Sequence, residues 1–331
     1  MDIPQLLQHY AQRLDDFLQH TIPQHGADYL SEGVWYQFST GGKRLRPALC
    51  LLTCEHLGGE PERALPFALA AEMLHNVFLI HDDIEDGDTM RRDQATLWVH
   101  LDLANAINIG DYLISTAYRL LLTSRLDSAT ILRLLDIYSL TFQKTVEGQA
   151  LDINLRGCDT FDVAQYYRIV QLKTAYYLTF NLVGGAIVAG MDGEVIEQLW
   201  ELGRLLGPAF QIRDDIIDLT NGKGRGGEIG CDIREGKPSI LFAYALERLG
   251  PHTTERQQLL DIIRKPREQT TSHDVDTVIQ LYNDVGALDF ATVECRRLID
   301  NAFTLIAGLP LEDTGKALFR EISRFIIDRQ T

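Results

Sequence analysis

Five carboxylates fall within seven positions of the stretch HDDIEDGDTMRR: Asp82, Asp83, Glu85, Asp86 and Asp88, with Arg91 and Arg92 just beyond. A second stretch, FQIRDDIIDLT, repeats the arrangement as Asp214, Asp215 and Asp218. On a helix, residues i and i+4 share a face, so Asp82 goes with Asp86 and Asp214 with Asp218. Asp83 and Asp215 lie about 100° round, at the edge of that face. Both clusters follow apolar runs, where crowded carboxylates are driven toward protonation unless something offsets their charge. Solvated helix ends would offset it, and so would divalent cations. Mg²⁺ takes oxygen ligands, keeps waters and is commonly completed by substrate phosphates. Two such clusters, 132 residues apart from Asp82 to Asp214, fit a multi-metal site for a diphosphate.

An anion also needs cationic or amide partners. STGGKRLRPAL supplies Lys43, Arg44 and Arg46 beside two glycines that let backbone approach a ligand, and Arg91 and Arg92 follow the first cluster. Lys173 sits in QLKTAYY and Lys237 ends a glycine-rich stretch. Taken singly, Lys173 reads as a snorkelling surface lysine and GGKRLRP as a loop opening a helix; their weight lies in the combination.

These groups must be carried by helices. No proline occurs between Pro66 and Pro208, and sustained alternation of period two is missing. Apolar residues recur at three and four along ATILRLLDIYSLTFQKTVEGQALDI, and TFDVAQYYRIVQLKTAYYLTFNLV is expected to start at a capping Thr160 with Asp162 in its first turn. The expected fold is all-α. No Pro/Ser-rich linker divides the chain, so one domain over residues 1–331 is expected. TNGKGRGGEIGCDIREGKPS carries six glycines, which predicts a mobile loop after the second cluster, a lid or a plain surface connection.

Of 331 residues 45% are hydrophobic, ample for a large core, and the net charge of −16 excludes a general binder of nucleic acid or anionic membrane. The five cysteines, Cys50, Cys54, Cys158, Cys231 and Cys295, show no ligand spacing and read as buried free thiols of a reducing compartment. The N-terminus lacks the features of a secretory signal. The apolar stretch 176–191 is short for a transmembrane helix and reads as core. A soluble, cytoplasmic protein with no transmembrane segment is the expectation.

In order along the chain, GGKRLRP, HNVFLIHDDIED, RR, EGQALDI, LKT, FQIRDDIID and DIREGKPS resemble the all-trans polyprenyl diphosphate synthases over about residues 38–240. The resemblance implies an antiparallel helix bundle around a deep central cavity, usually a homodimer, that joins isopentenyl diphosphate head-to-tail to an allylic diphosphate. It implies that Asp82, Asp83, Asp86, Asp214, Asp215 and Asp218 hold three Mg²⁺ ions. Arg91, Lys173 and Gln211 resemble allylic-site residues, and Lys43, Arg46, His75 and Arg92 the isopentenyl diphosphate pocket; Lys237 joins the substrate-binding set. Departing diphosphate charge would be stabilised by metal, Arg91 and Lys173, and the allylic cation by the dipoles of Thr174 and Gln211. Two departures stand out. Gly227 or Glu228 occupies the place of a usual loop lysine, for which Lys223 or Arg225 would substitute, and Asp93 stands where glycine is common.

In this family bulky residues four or five positions before the first aspartate limit elongation. Here these are Phe78 and Val77. One helical turn, about 5.4 Å, approximates one isoprene unit. The small Val77 argues against the shortest products and Phe78 against very long ones, which favours geranylgeranyl diphosphate, then farnesyl diphosphate. A class I terpene cyclase or a non-catalytic partner subunit are the alternatives; the cyclase has no use for GGKRLRP with Arg92.

Overall fold

The computed structural model describes residues 3–23, 28–42, 44–220 and 229–328. The fold is all-α, as expected; among the described residues the strands are Met90–Arg91 and Gln94–Ala95, a two-stranded antiparallel hairpin. The chain divides into two compact units, Met1–Phe142 with Leu178–Trp200 and Leu309–Phe319, and Gln143–Tyr177 with Glu201–Gly308 and Arg320–Thr331.

The first unit is built round the helix Pro61–Glu85. Pro61 stands at its start, where a missing N–H costs nothing. Phe67, Leu69, Met73, Leu74 and Val77 are buried, and apolar residues surround the helix instead of forming a stripe, so neighbours cover it on several sides. The helices Leu45–His56 and Leu103–Leu122 pack against it. Each fully buried Leu or Phe contributes roughly 1.5–3 kcal/mol. Two glycines allow close approach: a Cβ at Gly184 would fall 1.9 Å from the Phe67 ring, and one at Gly185 2.1 Å from the Cys50 carbonyl. Aromatic rings fill the next layer, with Phe180 against Phe67 at 5.5 Å and against Tyr138 at 6.4 Å. Cys50, Cys54, Cys231 and Cys295 are buried free thiols, as expected, whereas Cys158 is a free thiol that is only half-buried. By length and composition Pro61–Glu85 is the one helix among the described residues long and apolar enough to cross a membrane, and 67% of its most apolar window is buried inside the protein.

In the second unit the helix Val163–Val170 starts two residues later than the sequence suggested. Its cap is Asp162, not Thr160: the Asp162 carboxylate accepts from the Gln165 amide at 2.7 Å, and the Gln165 side chain accepts from the Asp162 amide at 3.0 Å. A three-residue offset to glutamine makes Asp162 the partner a capping box requires. The helix then widens into a π-helical turn, Gln171–Ala175. Downstream, Ile240–Arg248, Ser272–Asp284 and Ala287–Gly308 pack on one another, with Tyr244 stacked on Phe290 at 4.1 Å.

Candidate active site

In the first unit the acidic motif closes the helix Pro61–Glu85. Asp86 caps it, its amide bonding the Asp82 carbonyl at 2.9 Å, and the Asp88 amide turns back to the Asp83 carbonyl at 2.9 Å. The Asp88 carbonyl accepts from the Thr96 hydroxyl and the Trp98 indole, both at 2.8 Å, and the Tyr36 hydroxyl donates to the Ala95 carbonyl at 2.6 Å. These bonds anchor the hairpin that presents the two arginines. Its two-residue loop is Arg92–Asp93, with φ of 53° and 60°. Tight hairpins need positive φ at both central positions, a conformation that aspartate adopts more readily than most residues. Sequence reading missed the hairpin because strands of two residues leave no periodicity.

The two arginines serve different partners. Arg91 Nε donates to Asp83 Oδ1 at 2.5 Å and Nη2 to Asp82 Oδ2 at 3.3 Å. Arg92 donates to the Gly41 carbonyl, and a Cβ at Gly42 would lie 3.0 Å from its guanidinium. Asp83 is 2% exposed; burial pushes its carboxyl up to about 6, although Arg91 opposes the rise. Asp82 and Asp86 are partly exposed. His75, on the same helix, is held well below the usual imidazole range by burial and then by the guanidinium groups of Arg46, Arg92, Arg91 and Arg44, so it is neutral at pH 7. Arg46, His75 and Arg92 thus share one cationic cluster; Lys43 lies outside the described residues. Val77 is fully buried, whereas Phe78 keeps some exposure and meets Phe142 at 5.8 Å.

In the second unit Thr174, Gln211 and Asp215 form a chain. The Thr174 hydroxyl donates to Gln211 Oε1 at 3.2 Å, Gln211 Nε2 donates to Asp215 Oδ1 at 3.0 Å, and Asp215 Oδ2 accepts the Ile240 amide at 3.1 Å. Asp215 therefore sits at the positive end of the helix Ile240–Arg248. Asp218 has no exposure and accepts the Asp232 amide at 3.1 Å, while Asp214 is partly exposed. Asp214 and Asp218 lie four residues apart in the helix Gly193–Thr220 and so share a face, as expected, while Asp215 and Asp218 are the two that are buried. Lys173 reaches Asp152 at 3.1 Å, and Lys237 pairs with the 2%-exposed carboxylate of Glu235 at 2.6 Å. Asp152 and Glu235 fall within the motifs EGQALDI and DIREGKPS; Glu235, two residues from Lys237, carries a local sequence signal for its pairing, whereas Asp152 lies 21 residues from Lys173 on another helix and carries none.

Lys173 and Thr174 occupy the π-helical turn, and two other irregularities fit it. Pro208 lies inside the helix Gly193–Thr220 and lacks the N–H that would bond the Arg204 carbonyl. Gln171 Nε2, opening the π-turn, donates to that carbonyl at 2.9 Å. A Cβ at Gly207 would come 2.5 Å from Ala175 Cα, and one at Gly148 2.5 Å from the Lys173 amide nitrogen. The turn is clamped between two glycines.

A family implied to use Mg²⁺ requires oxygen donors. Among the described residues no group of three or more His, Cys, Asp or Glu is gathered closely enough to hold a metal. Carboxylates in ones and twos fit Mg²⁺ completed by substrate phosphates and water, and do not fit a closed protein cage. The residues Lys223, Arg225, Gly227 and Glu228 lie outside the described residues.

A family model described as polyprenyl synthetase matches residues 27–282. A short chain isoprenyl diphosphate synthase of Methanothermobacter thermautotrophicus is 30% identical over 331 residues, covering 100% of this chain and 99% of its own. A geranylfarnesyl diphosphate synthase of Aeropyrum pernix is 33% identical, with 98% and 99% covered. The crystal structure of a geranylgeranyl pyrophosphate synthetase from Pyrococcus horikoshii superposes with a TM-score of 0.90 at 29% identity, covering 99% of this chain and 100% of that one.

Proposed function

This chain belongs to the polyprenyl synthetase family and is a trans-prenyltransferase, and from that premise we propose that it condenses isopentenyl diphosphate with an allylic diphosphate to give geranylgeranyl diphosphate. The observation that carries this reading is the adjoining of two charge environments within one unit. Arg91 grips Asp82 and Asp83, while the next residue, Arg92, belongs to the cluster of Arg44, Arg46 and His75. An acidic site suited to metal and an anion site suited to a second diphosphate are thus one residue apart.

In this reading Arg46, His75, Arg92 and Lys43 receive isopentenyl diphosphate, and neutral His75 serves as a hydrogen-bonding group. Asp82, Asp83, Asp86, Asp214, Asp215 and Asp218 would hold three Mg²⁺ ions, which supply positive charge to the departing allylic diphosphate. Arg91, Lys173 and Lys237 add to that charge. Thr174 and Gln211, fixed to each other and to Asp215, aim dipoles at the allylic cation. The alkene attacks the cation, and the proton lost afterwards goes to diphosphate, so no protein nucleophile is needed. Exposed Leu103 and Ile107, one turn apart on the helix Leu103–Leu122, support a homodimer, which light scattering at twice the chain mass checks. Burial of the Pro61–Glu85 window, and five free thiols of which four are buried, support a cytoplasmic protein without a transmembrane segment.

Product length rests on Phe78. Val77 has no exposed surface, so Phe78, against Phe142, is the residue of the pair on which a growing chain would stop. The test is incubation of the purified chain with Mg²⁺, labelled isopentenyl diphosphate and dimethylallyl, geranyl or farnesyl diphosphate, followed by product chromatography. A C20 product is expected, and Phe78→Ala should lengthen it by one unit or more. A C25 product from the unaltered chain, in line with the name of the Aeropyrum relative, would overturn the assigned length. No incorporation from folded protein would overturn the synthase reading.

A further inference from the structure

One carboxylate stands inside the cationic cluster of the first unit. Glu72, on the helix Pro61–Glu85, is 3% exposed, and the fields acting on it come from Arg44, Arg46 and Arg92. Arg44 Nη1 donates to Glu72 Oε1 at 2.7 Å, Nη2 donates to the Phe38 carbonyl at 2.9 Å, and Nε lies 3.5 Å from Asp15 Oδ1. Two guanidinium nitrogens of Arg44 are therefore hydrogen-bonded within the protein, and the third faces a carboxylate.

Arg44 also has φ 45° and ψ 31°, a left-handed conformation that a non-glycine residue holds only when its surroundings enforce it. It precedes the helix Leu45–His56 and lies two residues before Arg46. Whatever pins Arg44 fixes the direction in which the chain enters that helix, and with it the place from which Arg46 departs. The opposite wall is held too. One turn on from Glu72, Asn76 Oδ1 accepts from Gln37 Nε2 at 3.3 Å, and Asn76 Nδ2 donates to the Glu72 carbonyl at 2.8 Å.

Building on the reading of Arg46, His75 and Arg92 as the isopentenyl diphosphate pocket, we propose that Glu72 is a positioning residue for that pocket: it locks Arg44 and the loop it ends, so that Arg46 is presented to the diphosphate while Glu72 itself touches no substrate. Net positive charge remains in the cluster, because one buried carboxylate faces several guanidinium groups. A buried ion pair is costly to break and weak as a source of stability, so its value here is in geometry.

The test is steady-state kinetics of Glu72→Gln, which keeps an oxygen for Arg44 but removes the charge. The KM for isopentenyl diphosphate should rise on the order of ten- to a hundredfold, with kcat and the allylic KM within about twofold. Arg44→Lys should match it, since an ammonium cannot serve Glu72 and the Phe38 carbonyl as a planar fork does. The double variant should be no worse than the poorer single, because both act through one contact. An unchanged KM for isopentenyl diphosphate in a folded variant, an equal rise in both KM values, or full additivity would overturn the proposal. If Glu72→Gln does not fold, Arg44→Lys carries the same comparison. If the unaltered chain turns over nothing, the synthase reading fails separately. Calorimetry of inorganic pyrophosphate in metal-free buffer then decides: weaker binding to either variant supports the positioning role, and equal binding removes it.

Discussion

The two aspartate motifs read alike in sequence and are held in different ways. In the first, Asp83 is gripped by a side chain, the Arg91 guanidinium at 2.5 Å, presented by a hairpin. In the second, Asp215 and Asp218 accept backbone amides, those of Ile240 and Asp232 at 3.1 Å each. A carboxylate held by a guanidinium can change partner through a rotamer. One held by the amide that opens a helix can leave only if the helix start moves. The first motif is thus suited to exchanging protein cation for metal and phosphate, while the second also braces the segment that follows it.

Paired substitutions sharpen this contrast most. Asp82→Ala should lower kcat/KM by on the order of 10²–10³ and change stability by less than about 1 kcal/mol, since its pair with Arg91 is partly solvated. Asp215→Ala should lose comparable activity and, in addition, about 1–3 kcal/mol for each orphaned donor, Gln211 Nε2 and the Ile240 amide. Urea melts beside kinetics check both; equal loss of stability would break the comparison.

A smaller effect follows from pH. The Asp83 carboxyl is raised from 3.8 to about 6, so between those values the folded chain keeps a proton that the unfolded chain has lost. Its contribution to stability is therefore present below about 4 and is lost as pH rises through about 6, by at most roughly 3 kcal/mol. Metal-free urea melts at pH 4.5 and 6.5 should show the fall, and Asp83→Asn should flatten it. The smallest effect concerns the hairpin that presents Arg91. Asp93 has φ 60°, so Asp93→Gly should relieve strain and stabilise by no more than about 1 kcal/mol, read as a small rise in melting temperature.

Helices and acidic motifs were legible because both repeat: apolar residues at three and four, carboxylates at fixed spacing. What escaped the sequence depends on single contacts. Glu72 is one carboxylate in an apolar run, and only the fold brings Arg44 to it. The hairpin has too few residues to show a period. The start at Asp162 was displaced to Thr160 because both residues are good caps, and only the bond to Gln165 decides between them. The π-turn at Lys173 has no composition signal, since an added residue in a helical turn changes register and leaves residue types untouched.

That turn has a consequence for inheritance and design. Gln171 supplies the Arg204 carbonyl with the donor that Pro208 lacks, and Gly207 leaves room for Ala175. A lineage that replaced Pro208 with an ordinary residue would regain its own N–H and release Gln171 from selection; one that lost Gln171 would favour losing the proline. The three positions should drift together across descendants. An engineer transplanting the LKT turn onto another scaffold would have to carry the proline and its glycine with it, because the turn and the distant proline behave as one heritable part.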